Sequence, residues 1–364
     1  MSRNGVDAAI RMAYRHQRAV MLIASRSQIE CEALGGGYVE RWSTEAFTRY
    51  VRGRDRASLI KICRDHGGPW QHPDESRSKR SEPEVLARTL ASLRIDIRSG
   101  MDLLHLDTSR EGSGAAPFDR ALKRLVALYG ECQEYARSHG RKIAFEVGLE
   151  RQSSEVENPE EFQSKLERIL DALAAAYLQP PTFVVAQTGT LVVGTKNRGD
   201  IVRQPQAAAK GVGKLAQVCR AFGVALKAHN VDYLPEEAVT SLLRNGTDAI
   251  NIAPELGVIE TRAFLDLLDE LDLPDQRDKF LRLAYESGAW EKWLDGDATD
   301  LERCVVAGHY VFATEEFRDV KSRAEAACQP LGISVDGRLG EALDQGLERY
   351  ATLAWDAKVV GAGL

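Results

Sequence analysis

The sequence predicts an α/β fold of the TIM (β/α)8 type, one strand short of a full barrel and followed by a helical C-terminal extension. Three observations point there. Seven apolar, β-branched runs of strand length alternate with longer segments of helical period over about 250 residues, the pattern of parallel strands joined by helical crossovers. No glycine fingerprint GxGxxG follows the first run, which argues against a doubly wound dinucleotide-binding sheet. Every run ends on polar residues, as C-terminal strand ends do where they build the active face of a barrel.

The runs are "AVMLIAS" (Ala19 to Ser25), "LIKICRD" (Leu59 to Asp65), "MDLLHLD" (Met101 to Asp107), "KIAFEVG" (Lys142 to Gly148), "TFVVAQT" (Thr182 to Thr188), "GVALKAH" (Gly223 to His229) and "TDAINIA" (Thr247 to Ala253). Between them, segments such as "EVLARTLASLRIDIRSG" and "PEEFQSKLERILDALAAAY" carry apolar residues at helical spacing. After about residue 270 the strand signal stops and the chain becomes helical and charged, as in "DQRDKFLRLAYESGAWEKWL". Residues 1–270 are therefore expected to form the barrel and residues 271–364 a helical extension packed on it. No internal repeat or low-complexity tract interrupts this order.

A chain of 364 residues, 44% hydrophobic and 28% charged, is ordinary globular material with a formal charge of −6. Its basic residues are dispersed, which argues against nucleic acid as a partner. The six cysteines form no CxxC pair, so they read as reduced core residues. The N-terminus lacks the pattern of a signal peptide, and no apolar run approaches the ~20 residues of a membrane span. A cytoplasmic protein that meets no membrane is expected.

The predicted strand ends read Ser25, Ser27 and Gln28; Asp65 and His66; Asp107 and Ser109; Glu146 and Glu150; Gln187; His229, Asn230 and Asp232; and Asn251. Singly, a histidine at a strand end is an ordinary polar residue. A barrel, however, brings these ends around one axis, and neutral imidazoles with carboxylates suit zinc, or else manganese, iron or nickel. His66, Glu150 and His229 are the expected ligands, with Asp107 a fourth ligand or an outer acceptor. His105, two residues before Asp107, faces the same side, in packing or in contact with the site. Glu146, inside an apolar strand, costs several kcal/mol if buried alone and must have a partner.

The stretch "LIKICRDHGGPW" (Leu59 to Trp70) concentrates this chemistry. Asp65 and His66 point to opposite faces of a regular strand, so both serve one site only where the strand is ending. Gly67, Gly68 and Pro69 supply that ending. His66 can then bind a metal while Asp65 acts as the proton-transfer group beside it, the cation lowering the pKa of a sugar hydroxyl.

At "RDHGGP", "LLHLDTS", "EVGLE", "VVAQTG", "KAHNVDY" and "NIAPELG" the chain resembles the tagatose-bisphosphate aldolase accessory subunits. These are distant relatives of class II zinc aldolases, and their family includes ketose 4-epimerases. The resemblance covers most of the chain. It implies that His66 and His229 match metal ligands, Glu150 the strand-end glutamate, Asp107 the His-Leu-Asp aspartate and Asp65 the proton-transfer aspartate. Where class II aldolases place another histidine this chain has Gln187 in "AQTG", so a third imidazole is expected to be absent. Asn230, Val231 and Asp232 stand where those aldolases have a phosphate-holding Gly-Gly-Ser turn, which favours a free ketose or a phosphate bound elsewhere. The family has a strand and loop before the helix matching "GVDAAIRMAYRHQ". The first barrel strand is thus missing here, or another segment, near "CVVAGHYVFAT" (Cys304 to Thr314), takes its slot, since an open seam exposes strand edges.

The resemblance implies a metal-dependent carbohydrate enzyme using retro-aldol and aldol chemistry on a ketose or ketose phosphate, as epimerase or aldolase, with the chain alone or as a homo-oligomer. Asp65, Glu150 and Asp232 would move protons. Ser25, Ser27, Gln28, His105, Ser109, Gln187, Asn230 and Asn251 would contact the sugar. The alternative is a non-catalytic accessory subunit that stabilises a partner aldolase. The presence together of Asp65, His66, Asp107, Glu150 and His229 favours the enzyme.

Overall fold

A computed structural model describes residues 1–77, 80–112, 114–148, 153–294 and 296–361, with side chains to residue 355. Glu150 lies outside the described residues. Seven parallel strands form one sheet in strict sequence order: β1 Val20–Ser25, β2 Ile60–Asp65, β3 Leu103–Asp107, β4 Ala144–Gly148, β5 Phe183–Val185, β6 Ala225–Ala228 and β7 Ala249–Ile250. Each sequence run contains its strand. The sheet curls into a half-barrel with helices outside, a TIM-like arrangement, and among the described residues no strand follows β7.

Period two sorts each strand into an outer and an inner face. Leu104 and Leu106 of β3, Phe145 and Val147 of β4, and Leu226 and Ala228 of β6 join one apolar core with residues of the flanking helices. That leaves His105, Asp107, Glu146 and Lys227 on the other face. Fully burying an aliphatic side chain stabilises by about 1.5–3 kcal/mol, so the outer residues hold the sheet and free the inner ones for chemistry. All six cysteines are free and buried. Burial pushes the Cys31 and Cys63 thiols up to about 12, so both stay protonated.

The half-barrel does not close: among the described residues no strand joins β1 to β7. The segment expected in that slot, Cys304–Thr314, is helical instead, within Asp300–Ala307 and the turn Gly308–Tyr310. Thr299 caps that helix and Glu302 returns to the Thr299 amide, a reciprocal capping pair that commits the segment to helix. The seam is lined instead by the first helix, Arg3–His16, and the last, Val335–Gly361. Arg11 binds Asp344 and Arg15 binds Glu348 between them. A cavity of about 400 Å³ runs along the seam past Met12, Met21, Ile23, Ile250 and Leu347.

Candidate metal centre

Strand β2 stops at Asp65, and His66 turns into the left-handed region with φ 44°. That turn settles the problem of opposite faces, because it swings the His66 ring to the side Asp65 already occupies. The two residues after it explain the glycines. The Gly67 amide donates to the His105 carbonyl at 2.8 Å. A Cβ on Gly68 would lie 1.5 Å from the Asp107 carbonyl oxygen, so no other residue fits without moving β3.

Strands β3 and β4 pair His105 with Glu146 and Asp107 with Gly148, in register. Asp107 Oδ2 bonds His66 Nδ1 at 2.5 Å and accepts from Gln71 Nε2, while its Oδ1 accepts the Ser109 amide. That bond fixes the His66 ring through Nδ1 and leaves Nε2 on its far side. Glu146, wholly buried, has the partner it requires: Lys227 Nζ lies 2.5 Å from one carboxylate oxygen, and His229 Nε2 is 3.0 Å from the other. The sequence singles out Glu146 only as a buried carboxylate in need of a partner, and it does not nominate Lys227. The signal was the alternation of Lys227 and His229, which puts a second charge on the inner face.

The three rings of His66, His105 and His229 form a triangle with centroids 5.0, 5.3 and 5.6 Å apart. Among the described residues, ligand atoms of Asp65, His66, His105 and His229 all lie within 4.8 Å of one another. A third imidazole is therefore present at the mouth, supplied by β3 in place of the strand that carries Gln187. His105 Nδ1 is 3.4 Å from Asp65 and 3.5 Å from Glu146, while its Nε2 is buried without a hydrogen-bond partner. Imidazoles backed by carboxylates, beside an orphaned ring nitrogen, fit a divalent cation.

The electrostatics agree. Burial opposes ionisation of Asp65, but His66, a hydrogen bond from His105 and His229 outweigh it and hold the carboxyl well below the usual range. Asp107 behaves alike: burial resists, the His66 hydrogen bond wins, and its pKa falls to about 2. Glu146 is held ionised against burial by His105, Lys227 and His229. For His66, burial opposes protonation, yet Asp65 and Asp107 push it up to about 9. Burial lowers His229. Three ionised carboxylates thus surround a knot of imidazoles that is open to solvent through His66, 42% exposed.

The other nominated residues have partners of their own. Ser25, Ser27 and Gln28 bond one another at the end of β1. Gln28 and Asn251 line the seam cavity. Gln187 turns to the Ser153 amide, and the Asn230 carbonyl accepts from Asn197. Asp232 is committed elsewhere: its Oδ1 accepts the amides of Ala253 and Glu255 at the start of helix Pro254–Glu270, and burial pushes its pKa up to about 7. Glu150 lies outside the described residues.

No protein-family model matches the chain, and no curated protein matches it in sequence. Solved structures do share its fold. A probable tagatose 6 phosphate kinase from Sinorhizobium meliloti 1021 superposes with a TM-score of 0.72 at 19% identity, covering 96% of this chain and 97% of that one. A fructuronate-tagaturonate epimerase from Cohnella laeviribosi, in a glycerol complex, gives 0.58 at 13% identity over 96% and 79%. A fructose-bisphosphate aldolase from Campylobacter jejuni gives 0.54 at 13% identity over 98% and 88%. An aldolase and an epimerase of ketose sugars thus stand among the structures this half-barrel resembles, in keeping with the family its motifs suggest.

Proposed function

We propose that the chain is a metal-dependent carbohydrate enzyme that breaks and re-forms a carbon–carbon bond of a ketose or ketose phosphate, as an epimerase or an aldolase. The observation that carries this reading is the approach of Asp65, His66, His105 and His229 to within 4.8 Å at the C-terminal mouth of a parallel half-barrel. His66, His105 and His229 would hold the cation, zinc being the first choice. Bound there, it supplies the Lewis acidity that polarises a ketose carbonyl.

The chain's own residues do the rest. Asp65, held ionised, takes the proton from the hydroxyl of the carbon being released, and the C3–C4 bond opens as its electron pair moves towards the carbonyl oxygen. Asp107 and Gln71 keep His66 in place. Glu146 orients His229 and His105 from below, and Lys227 balances its charge. Glu150 remains the candidate for a second proton transfer.

The test is direct. The purified chain, loaded with zinc, manganese or nickel, is incubated with ketoses, ketose phosphates and ketouronates, and products are followed by NMR. Turnover lost by a factor of 100 or so in Asp65→Asn, with metal content retained, is the expected result. A chain that holds no metal, turns over nothing and forms a tight complex with an aldolase would instead be the accessory subunit.

A further inference from the structure

The loop that carries His66 is held in a conformation its sequence does not favour. Within five residues, two side-chain-bearing positions, His66 with φ 44° and Trp70 with φ 56°, adopt left-handed backbone that L residues rarely take up. Such a conformation persists only where the surroundings impose it. The surroundings here are a buried ion cluster on the outer side of the loop. Arg26, in the turn just after β1, bonds Glu75 twice, each at 2.8 Å, and Glu30 at 2.8 Å, with all three side chains wholly buried.

This cluster grips the loop at both ends. Arg26 Nη1 donates to the Gly68 carbonyl at 3.1 Å, and Glu75 Oε2 accepts the Trp70 amide at 3.1 Å. Thr89 takes a further bond from Arg26, and Ser92 anchors Glu30, both from helix Glu82–Ser99. Arg26 is 0% exposed, and each of its three guanidinium nitrogens is engaged within this cluster. It therefore has a geometric task and no route to a substrate.

We propose that Arg26 and Glu75 are positioning residues for the histidine centre: their two-pronged ion pair locks the Gly67–Trp70 loop and so holds His66 in the left-handed turn that aims its ring at Asp107 and its neighbours. The part concerning a cation rests on the function proposed above, whereas the part concerning His66 does not. A bidentate guanidinium–carboxylate pair fixes orientation as well as distance, which an ordinary hydrogen bond would not.

Two variants test this, Glu75→Gln and Arg26→Lys, each retaining size and part of the bonding. The control is Leu215→Ala, a core truncation in helix Pro205–Ala221 that lowers stability without touching the loop. Zinc affinity, read by competition with a chromophoric chelator, should weaken about 10–100-fold in both clamp variants and stay unchanged in the control. In the metal-free proteins, the nitrogen NMR signal that reports the His66–Asp107 hydrogen bond should broaden or shift in the clamp variants alone. Wild-type affinity and an unchanged His66 signal in folded Glu75→Gln and Arg26→Lys would overturn the proposal, as would equal losses in the control. If the wild type binds no zinc, the proposed function fails, and the His66 signal alone still decides the clamp.

Discussion

The mouth of the half-barrel and its seam are built on opposite terms. At the mouth, buried charge is dense and paired: Glu146 meets Lys227 and His229, and Asp107 meets His66, Gln71 and Ser109. At the seam, two strand edges face a cavity of about 400 Å³, lined mostly by apolar side chains, that helices cover and, among the described residues, no strand fills. The contrast teaches that convergence does not need closure. Strands β2, β3, β4 and β6 supply the centre, and β2 to β6 form an unbroken set of hydrogen-bonded neighbours whose register is independent of any link between β1 and β7.

The largest effect should come from breaking the mouth. Lys227→Met leaves the Glu146 carboxylate buried without its cation, and urea unfolding should register a loss of about 3–5 kcal/mol. A loss under 1 kcal/mol would mean that the mouth tolerates unpaired charge and that the contrast is false.

Asp232, where β6 meets the helix beside β7, gives an effect spread over about three pH units and with a definite sign. Burial raises its folded pKa to about 7 from an ordinary 3.8, so the folded protein binds the proton more tightly than the unfolded chain. Its contribution is complete below about pH 4 and is lost as pH rises through about 7, at no more than about 1.4 kcal/mol per pH unit. The stability of the wild type relative to Asp232→Asn should therefore decline between pH 4 and 7 and level off above. A flat difference would remove the assignment.

The smallest effect sharpens the contrast from the seam side. Ala9 faces the cavity, so Ala9→Leu should shift stability by less than about 1 kcal/mol, whereas Ala216→Leu in the packed core should cost about 1–3 kcal/mol. Equal thermal shifts would show that the seam is as tightly packed as the core.

The sequence made the strands legible because strands buried in a parallel sheet are nearly continuous apolar runs bounded by polar ends. It also carried the Asp65–His66 turn, since glycine and proline after a paired carboxylate and imidazole leave few alternatives. It showed that Glu146 needs a partner but hid that the partner is Lys227, because the two meet only through register across β4, β5 and β6. It hid His105 as a member of the imidazole triangle for the same reason: which strand supplies the third ring depends on how the strands sit side by side, not on local spacing. The run "CVVAGHYVFAT" misled because short apolar segments suit either period, and the Thr299–Glu302 capping pair just before it was the cue for helix.

The helix Val335–Gly361 rests on the first helix of the chain, Arg3–His16, across more than three hundred residues of sequence. During translation, all seven strands leave the ribosome before that helix exists. The nascent polypeptide can thus bring its histidines together at the mouth before the helix that completes the cover of the seam, and so of the strand edges there, has been made.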